Sequence, residues 1–330
     1  MHAFPHHRVC GAGILPFRIG SRGEPHFLLG RERYETGWRG SSKVSAFEGG
    51  NKASETAAQN AVREFQEESL GVLLHSLDDA GRLRESLHNG EYAVQVAIRM
   101  TERNEVHTTF VHQFEWDGST IEQTFTNRRN ALSGLKVAAD TLDRLRVAWP
   151  RRYPFLVEGD RLERYGDRLR VVDVQASALC GGGAIVFRYS CAHVDDAART
   201  VTHTTSALPD ATCLAFVEWL EARRVVLREL ASLPEVVRVG AVRVESHGSE
   251  MRVRVNGDWL EKVSVRDYTL GELQETLRNN AVVFRPFFIS VLRQTLQQFV
   301  QPAAPRSVVQ RLPGAPMQPM EADLDEEEGE

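Results

Sequence analysis

Three glutamates, Glu64, Glu67 and Glu68, stand at positions i, i+3 and i+4 of one short stretch. In a helix, at about 100° per residue, all three project from the same side. Carboxylates so crowded repel one another in isolation. A hard divalent cation between them reverses the sign of that term. Mg²⁺ and Mn²⁺ take oxygen ligands and keep waters and substrate phosphates as the remaining ones. A cation held in this way neutralises charge on a phosphoryl group and positions a water, so the chemistry to expect is phosphoryl displacement. The plain alternative for three such residues is a solvated acidic helix face.

The text around them supports a helix. Ala57, Ala58, Ala61, Val62 and Phe65 recur at helical spacing and form one apolar stripe, predicting a helix over 55–70. Ser54 is the expected N-cap. A buried stripe would hold the helix still and so pre-position the glutamates. Glu55 and Arg63 lie eight residues apart and cannot share a helix face. They can pair only if the chain before the helix folds back.

The full spacing is more specific. Gly49, five residues, Glu55, seven residues, then Arg63-Glu64-Phe65-Gln66-Glu67-Glu68 fixes seven positions over 20 residues. This segment resembles the Nudix box, and the chain resembles the Nudix hydrolase family. Two details depart from the common pattern. The glycine that usually follows the last box glutamate by two residues is Gly71, three residues on. Phe47-Glu48-Gly49-Gly50 stands where Pro-Gly-Gly is frequent. Neither departure removes a carboxylate, but both alter the loops that close the box.

The resemblance implies a fold, a reaction and roles. The fold is the Nudix α/β/α sandwich with a mixed sheet, here interrupted by an α+β insertion. The reaction is hydrolysis of a diphosphate linkage with Mg²⁺ or Mn²⁺ as cofactor. Glu64, Glu67 and Glu68 would be metal ligands, assisted by the carbonyl near Gly49. Arg63 would hold Glu55 and orient the box. The general base varies within the family, between a box glutamate such as Glu64 and an acid on a distant loop, for which Glu261 in Asp258-Trp259-Leu260-Glu261-Lys262 is the candidate. A surface glutamate at a strand end is the plain reading of Glu261.

The stretch 259–277 with Phe284-Arg285-Pro286-Phe287-Phe288 resembles the C-terminal part of Nudix enzymes from large DNA viruses, several of which remove the mRNA cap. That implies capped RNA as a substrate and the cytoplasm as location (the host's, for a viral protein). The alternatives are small nucleoside-diphosphate-X or diphosphoinositol polyphosphate substrates, or a catalytically silent binding protein. Cap hydrolysis needs a groove for RNA and a platform for a base. Arg144, Arg146, Trp149, Arg151 and Arg152 interleave such residues and are the candidate substrate contacts. A solvated basic helix face is the competing reading.

The rest of the chain is read for elements. Strands are expected at 9–18, 26–31, 91–100 and 109–116, the last two as a hairpin across 101–108, with a loop over 32–50. Tyr92, Val94, Val96, Ile98 and Met100 alternate as one half-buried face. Helical text covers 129–148 and 211–232, with Pro209-Asp210 and Pro234 at the ends of the latter. Strands are expected near 168–176, 184–190, 238–246, 250–256 and 259–268, and helices from Thr269 to about Asn279 and from Arg285-Pro286 onward. Gly181-Gly182-Gly183 lacks the Gly-Lys-Ser/Thr of a phosphate loop and reads as a turn.

The chain of 330 residues is long enough for a large core. Hydrophobic residues at 42% and charged residues at 26% exclude a fibrous or wholly disordered chain. No apolar run suits a membrane helix, and Met1 to Arg8 lacks the apolar stretch of a secretory signal, so an intracellular protein is expected. Four cysteines, at 10, 180, 191 and 213, are too sparse for a disulfide framework and read as free thiols. His193 beside Cys191 is no zinc site. The net charge of −5 is owed to the last ten residues, which hold seven acids and no base. Only Lys43, Lys52, Lys136 and Lys262 are lysines; the Arg bias fits a GC-rich genome. The expected organisation is a Nudix domain from 1–120 and 237–300, an insertion from 121–236 that shapes substrate access, and a disordered Pro-rich and acidic tail from 301–330. Oligomeric state is left open.

Overall fold

The computed structural model describes residues 8–100, 105–148, 155–156, 160–164, 167–178, 183–247 and 250–300. Its centre is a mixed sheet of seven strands: β1 (Arg8–Ile19), β2 (Pro25–Glu32), β3 (Val44–Ser45), β4 (Phe47–Gly50), β5 (Val94–Met100), β6 (Glu105–Gln113) and β13 (Lys262–Thr269). The main path runs β13-β2-β1-β6-β5, with β3 beside β2 and β4 beside β1. β1 and β6 are parallel and the other pairs antiparallel.

Successive strand residues point to opposite faces, and both faces are apolar. Ile14 and Leu28 face one way; Leu15 and Leu29 face the other. On the first face lie α1 (Ala57–Ser69), α2 (Leu77–His88), α3 (Ile121–Ala148) and α5 (Glu235–Ala241). α1 inserts Ala58, Ala61, Val62 and Phe65 between the sheet and α2. Phe65 is fully buried against Phe47, their rings 5.3 Å apart, a burial worth roughly 2–3 kcal/mol. On the second face α6 (Leu270–Asn279) and α7 (Pro286–Val300) bury Leu273, Phe288, Val291, Leu292 and Leu296. The result is the mixed α/β sandwich expected from the sequence.

Between residues 121 and 236 a second core forms. A four-stranded antiparallel sheet, ordered β10-β9-β8-β7, is built from β7 (Arg161–Arg164), β8 (Asp167–Ala178), β9 (Ile185–His193) and β10 (Thr200–Ala207). It packs Phe187, Tyr189 and Cys191 on Cys213, Phe216 and Leu220 of α4 (Ala211–Ser232). Asp210 caps α4, its side chain accepting from the Cys213 amide. α3 starts just past residue 120, yet Ile121, Phe125, Leu132 and Leu135 lie in the core of the first sheet face, joined by Ala222 and Val226 of α4. The hairpin of β11 (Val242–His247) and β12 (Glu250–Val255) completes the described strands.

Several local expectations change. The box helix is capped by Thr56, not Ser54: Thr56 Oγ1 accepts from the Gln59 amide and Gln59 Oε1 accepts from the Thr56 amide. Ser54 instead sits in a turn at φ 70°. The loop expected over 32–50 contains β3 and β4. The strand expected over 238–246 starts only at Val242, because Pro234 opens α5. Trp259 and Leu260 close a 3-10 turn, Gly257–Leu260, before β13. α3 begins eight residues before the expected 129, and α2 has no counterpart among the expected elements. Tyr92 precedes its strand and packs on the first face with Phe110, away from Val94, Val96 and Ile98. Cys10, Cys191 and Cys213 form no disulfide among the described residues, while Cys180, Gly181, Gly182 and the tail 301–330 lie outside them. Among the described residues no helix is long and apolar enough to cross a membrane.

Candidate active site

α1 is seated on the sheet by a side chain the sequence did not mark. Asn60 is fully buried; its Oδ1 accepts from the Ala12 amide of β1 at 3.1 Å and its Nδ2 donates to the Gly50 carbonyl of β4 at 2.8 Å. This pins the helix across two strands. The glutamate face then meets the end of β4. A Cβ on Gly49 would overlap the Glu64 carboxylate and push it aside. With glycine at this position the peptide and the Glu64 carboxylate lie close together undisturbed.

The chain before the helix does fold back. Arg63 grips Glu55 through two bonds, Nε to Oε1 at 2.7 Å and Nη2 to Oε2 at 2.9 Å. Such forked pairs are strong and directional. The same guanidinium donates to Glu64 Oε1 at 2.6 Å, to Glu67 Oε2 at 3.3 Å and to the Gly50 carbonyl at 2.9 Å. Arg63 thus ties loop, strand and two box carboxylates together. The bond from Arg63 holds the Glu55 carboxyl below the usual range. Burial works against the Arg63 charge, but its carboxylate partners more than offset that and push its pKa up.

The box carboxylates are 3–9% exposed. Burial drives the Glu64 carboxyl up to about 7 despite Arg63, with Glu67 and Glu261 adding repulsion. Burial raises Glu67 as well, opposed by Lys52 and Arg63, and it raises Glu68 most strongly. Glu68 Oε2 accepts the Glu48 amide at 2.7 Å. Glu261 lies close enough for its charge to be felt at Glu64, and Asp258 for its charge to be felt at Glu67. The Glu261 carboxyl is itself raised, first by burial, and its backbone carbonyl accepts the Arg33 amide at 2.7 Å.

Behind the box lies a charged layer that sequence reasoning missed. Lys262 is 1% exposed and reaches Glu32 Oε1 at 2.5 Å, Ser45 Oγ at 2.7 Å and Glu68 Oε1 at 3.3 Å. Arg285 Nη1 stands 3.2 Å from Glu32 Oε1 and 3.9 Å from Glu48 Oε1, with its guanidinium 5.3 Å from the Trp38 ring centre. Glu48 is 3% exposed, and burial raises its carboxyl to about 7. Glu32, Glu48, Lys262 and Arg285 come from β2, β4, β13 and the start of α7. No local spacing joins them; Arg285 alone stands out, between Val282-Val283-Phe284 and Phe287-Phe288.

Among the described residues no three His, Cys, Asp or Glu side chains already enclose a common point as an ion requires. The Arg63 guanidinium spans Glu64 and Glu67 instead. The donor chemistry nevertheless suits a hard cation. Glu64, Glu67, Glu68 and the Gly49 carbonyl are an all-oxygen set, and burial raises all three carboxyls against the pull of Arg63, Lys52 and Lys262.

Of the expected substrate contacts, only Arg144 has a described side chain. Arg144 is exposed on α3 and pairs with Glu218 of α4. The side chain of Arg146, and Trp149, Arg151 and Arg152 altogether, lie outside the described residues.

No protein-family model matches the chain, and no curated protein does. Among solved structures it is similar in part to an Ap4A hydrolase of C. elegans, at 17% identity and TM-score 0.22 over 32% of this chain and 67% of that one. It is similar to a MutT protein from Methanosarcina mazei Go1, at 18% identity and TM-score 0.22 over 35% and 70%. It is similar to a MutT/nudix family protein from Enterococcus faecalis, at 8% identity and TM-score 0.23 over 78% and 90%.

Proposed function

We propose that the protein is a hydrolase of phosphoric anhydrides that depends on a divalent metal, and, within that class, a pyrophosphohydrolase of the Nudix type. One observation carries the reading: Glu64, Glu67 and Glu68 share one face of α1, buried against the Gly49 peptide, with Arg63 locked onto Glu55 behind them.

In this reading Glu64, Glu67, Glu68 and the Gly49 carbonyl hold Mg²⁺ or Mn²⁺. When bound, the ion supplies charge neutralisation at phosphorus and acidifies a water. Arg63 positions Glu64 and Glu67 and anchors the loop through Glu55. Glu261 faces the box from another element and takes the proton from the attacking water, with Glu64 as the alternative base. Burial raises both carboxyls, Glu64 to about 7, the direction that strengthens a carboxylate as a base. The substrate is a diphosphate linked to a further group. Capped RNA is the finer reading, resting on the resemblance of residues 259–288 and on the Arg-rich text at 144–152. The stretch 121–236, with its own core, is then the insertion that shapes access.

The test is a substrate panel with Mg²⁺ or Mn²⁺: capped RNA, diadenosine tetraphosphate, nucleoside-diphosphate sugars and inositol pyrophosphates. Cleavage of at least one is expected. Glu67→Gln and Glu68→Gln should each lower turnover by about 100-fold or more. Variants as active as the parent would contradict catalysis by the box. Intact capped RNA beside a cleaved small diphosphate would overturn decapping alone.

A further inference from the structure

The environment of Lys262 assigns it a task beyond the Nudix pattern. A lysine this buried is costly unless its charge is compensated and its donors are used. Here both hold: Nζ donates to Glu32 of β2 and Ser45 of β3, and pairs with the Glu68 carboxylate of α1. Ser45 Oγ in turn donates to Glu32 Oε1 at 2.9 Å. Glu68 is gripped at both oxygens, by Lys262 at Oε1 and by the Glu48 amide at Oε2. Each carboxylate oxygen offers two lone-pair directions, so one per oxygen stays open to a further partner.

We infer that Lys262 is a positioning residue that presets the Glu68 carboxylate to receive the divalent ion, acting from beneath the box helix through a Lys262–Glu32–Ser45 cradle. The inference rests on the metal-holding reading of Glu68. A cation so close could instead repel the ion. Geometry decides against that. Lys262 is nearest to Glu32, at 2.5 Å against 3.3 Å for Glu68. Lys262 donates its hydrogen bonds to Glu32 and Ser45, while Glu68 is left with a longer ion pair to it and the hydrogen bond from the Glu48 amide. Arg285 stands by Glu48 and Glu32 and offsets part of the layer's negative charge. Partners that orient metal ligands typically change affinity by about 10–100-fold when removed.

The experiment is Mn²⁺ binding by calorimetry and Mn²⁺ electron paramagnetic resonance, with no substrate present, on the full chain. Lys262→Met should raise the Mn²⁺ dissociation constant by about 10–100-fold and broaden the Mn²⁺ spectrum. It will also lower the melting temperature, because the buried Glu32 loses one of its two cationic partners and keeps only Arg285. The double variant Glu32→Gln/Lys262→Met removes both charges and should recover much of that temperature while metal binding stays weak. A purely structural lysine would move the two together. Mn²⁺ affinity that is unchanged or tighter in either folded variant, or that recovers in step with stability in the double variant, would overturn the inference. Ser45→Ala, a milder change, should weaken Mn²⁺ binding less than Lys262→Met; an equal or larger loss would put the cradle on Ser45 rather than Lys262. A parent protein that binds no Mn²⁺ would instead contradict the proposed function itself.

Discussion

Arg63 and Arg144 are the same residue type on two long helices, and each meets a glutamate. Arg63 is 18% exposed at its side chain and holds Glu55, which the fold brings to it from outside the helix. Arg144 is 61% exposed and meets Glu218 across the surface of α3 and α4. The first pair is backed by the Gly50 carbonyl and two more carboxylates; the second stands in solvent. Water screens the exposed pair and side-chain entropy opposes it, so it is worth little. Partial burial with forked geometry makes the Arg63 pair both stronger and positional. Proximity of opposite charges therefore does not mark a site. Burial of charge that the sheet, rather than one helix, must organise does.

The largest expected effect is on pH stability of the buried layer. His107 on β6 is 8% exposed, its ring 4.5 Å from Phe287, and burial together with the Arg285 charge pulls its pKa from 6.5 down to about 4. The unfolded chain then gains a proton near pH 6.5 that the folded chain refuses until about pH 4. Stability is lost as pH falls through that window, by up to about 3 kcal/mol. Glu48 and Glu64, raised from 4.5 to about 7, act oppositely: their contribution is present at low pH and lost as pH rises through about 7. The His107 effect is thus the difference between the parent and His107→Gln in urea unfolding at pH 7 and pH 4.5. Parallel curves would show that His107 is not a buried neutral group.

A double-mutant cycle on Arg63→Ala and Glu55→Ala should give a coupling of about 1–3 kcal/mol. The same cycle on Arg144→Ala and Glu218→Ala should give less than about 0.5 kcal/mol, with each single variant near neutral. Mn²⁺ affinity should fall for Arg63→Ala and stay unchanged for Arg144→Ala. Equal couplings in the two cycles would break the contrast between the regions.

What could be read in advance follows the range of the interactions. The stripe of Ala58, Ala61, Val62 and Phe65 set the box helix, since helical periodicity is local. Asp210 at the start of α4, Thr269 at the start of α6 and Pro286 in α7 were equally visible. The N-cap fell two residues late because Ser54 and Thr56 are equivalent on paper; Gln59, three residues after Thr56, completes a capping box that only Thr56 can make. Leu70 shows tertiary context overriding preference. It ends α1 in the left-handed region at φ 51°, where glycine is usual, and its near-complete burial at 1% exposure offsets the strain. The glycine follows as Gly71 at φ 62°, where a Cβ would overlap Val236 of α5, which explains the displaced box glycine. Lys262, Glu32, Glu48 and Arg285 were illegible as a group, because four separate elements bring them together.

Crystals grown with saturating Mn²⁺ and a non-hydrolysable diphosphate test the central claim most directly, by anomalous scattering at the manganese edge. A peak bounded by Glu64, Glu67 and Glu68 beside the Gly49 carbonyl is the predicted result. Bare carboxylates at that helix under those conditions would contradict the account.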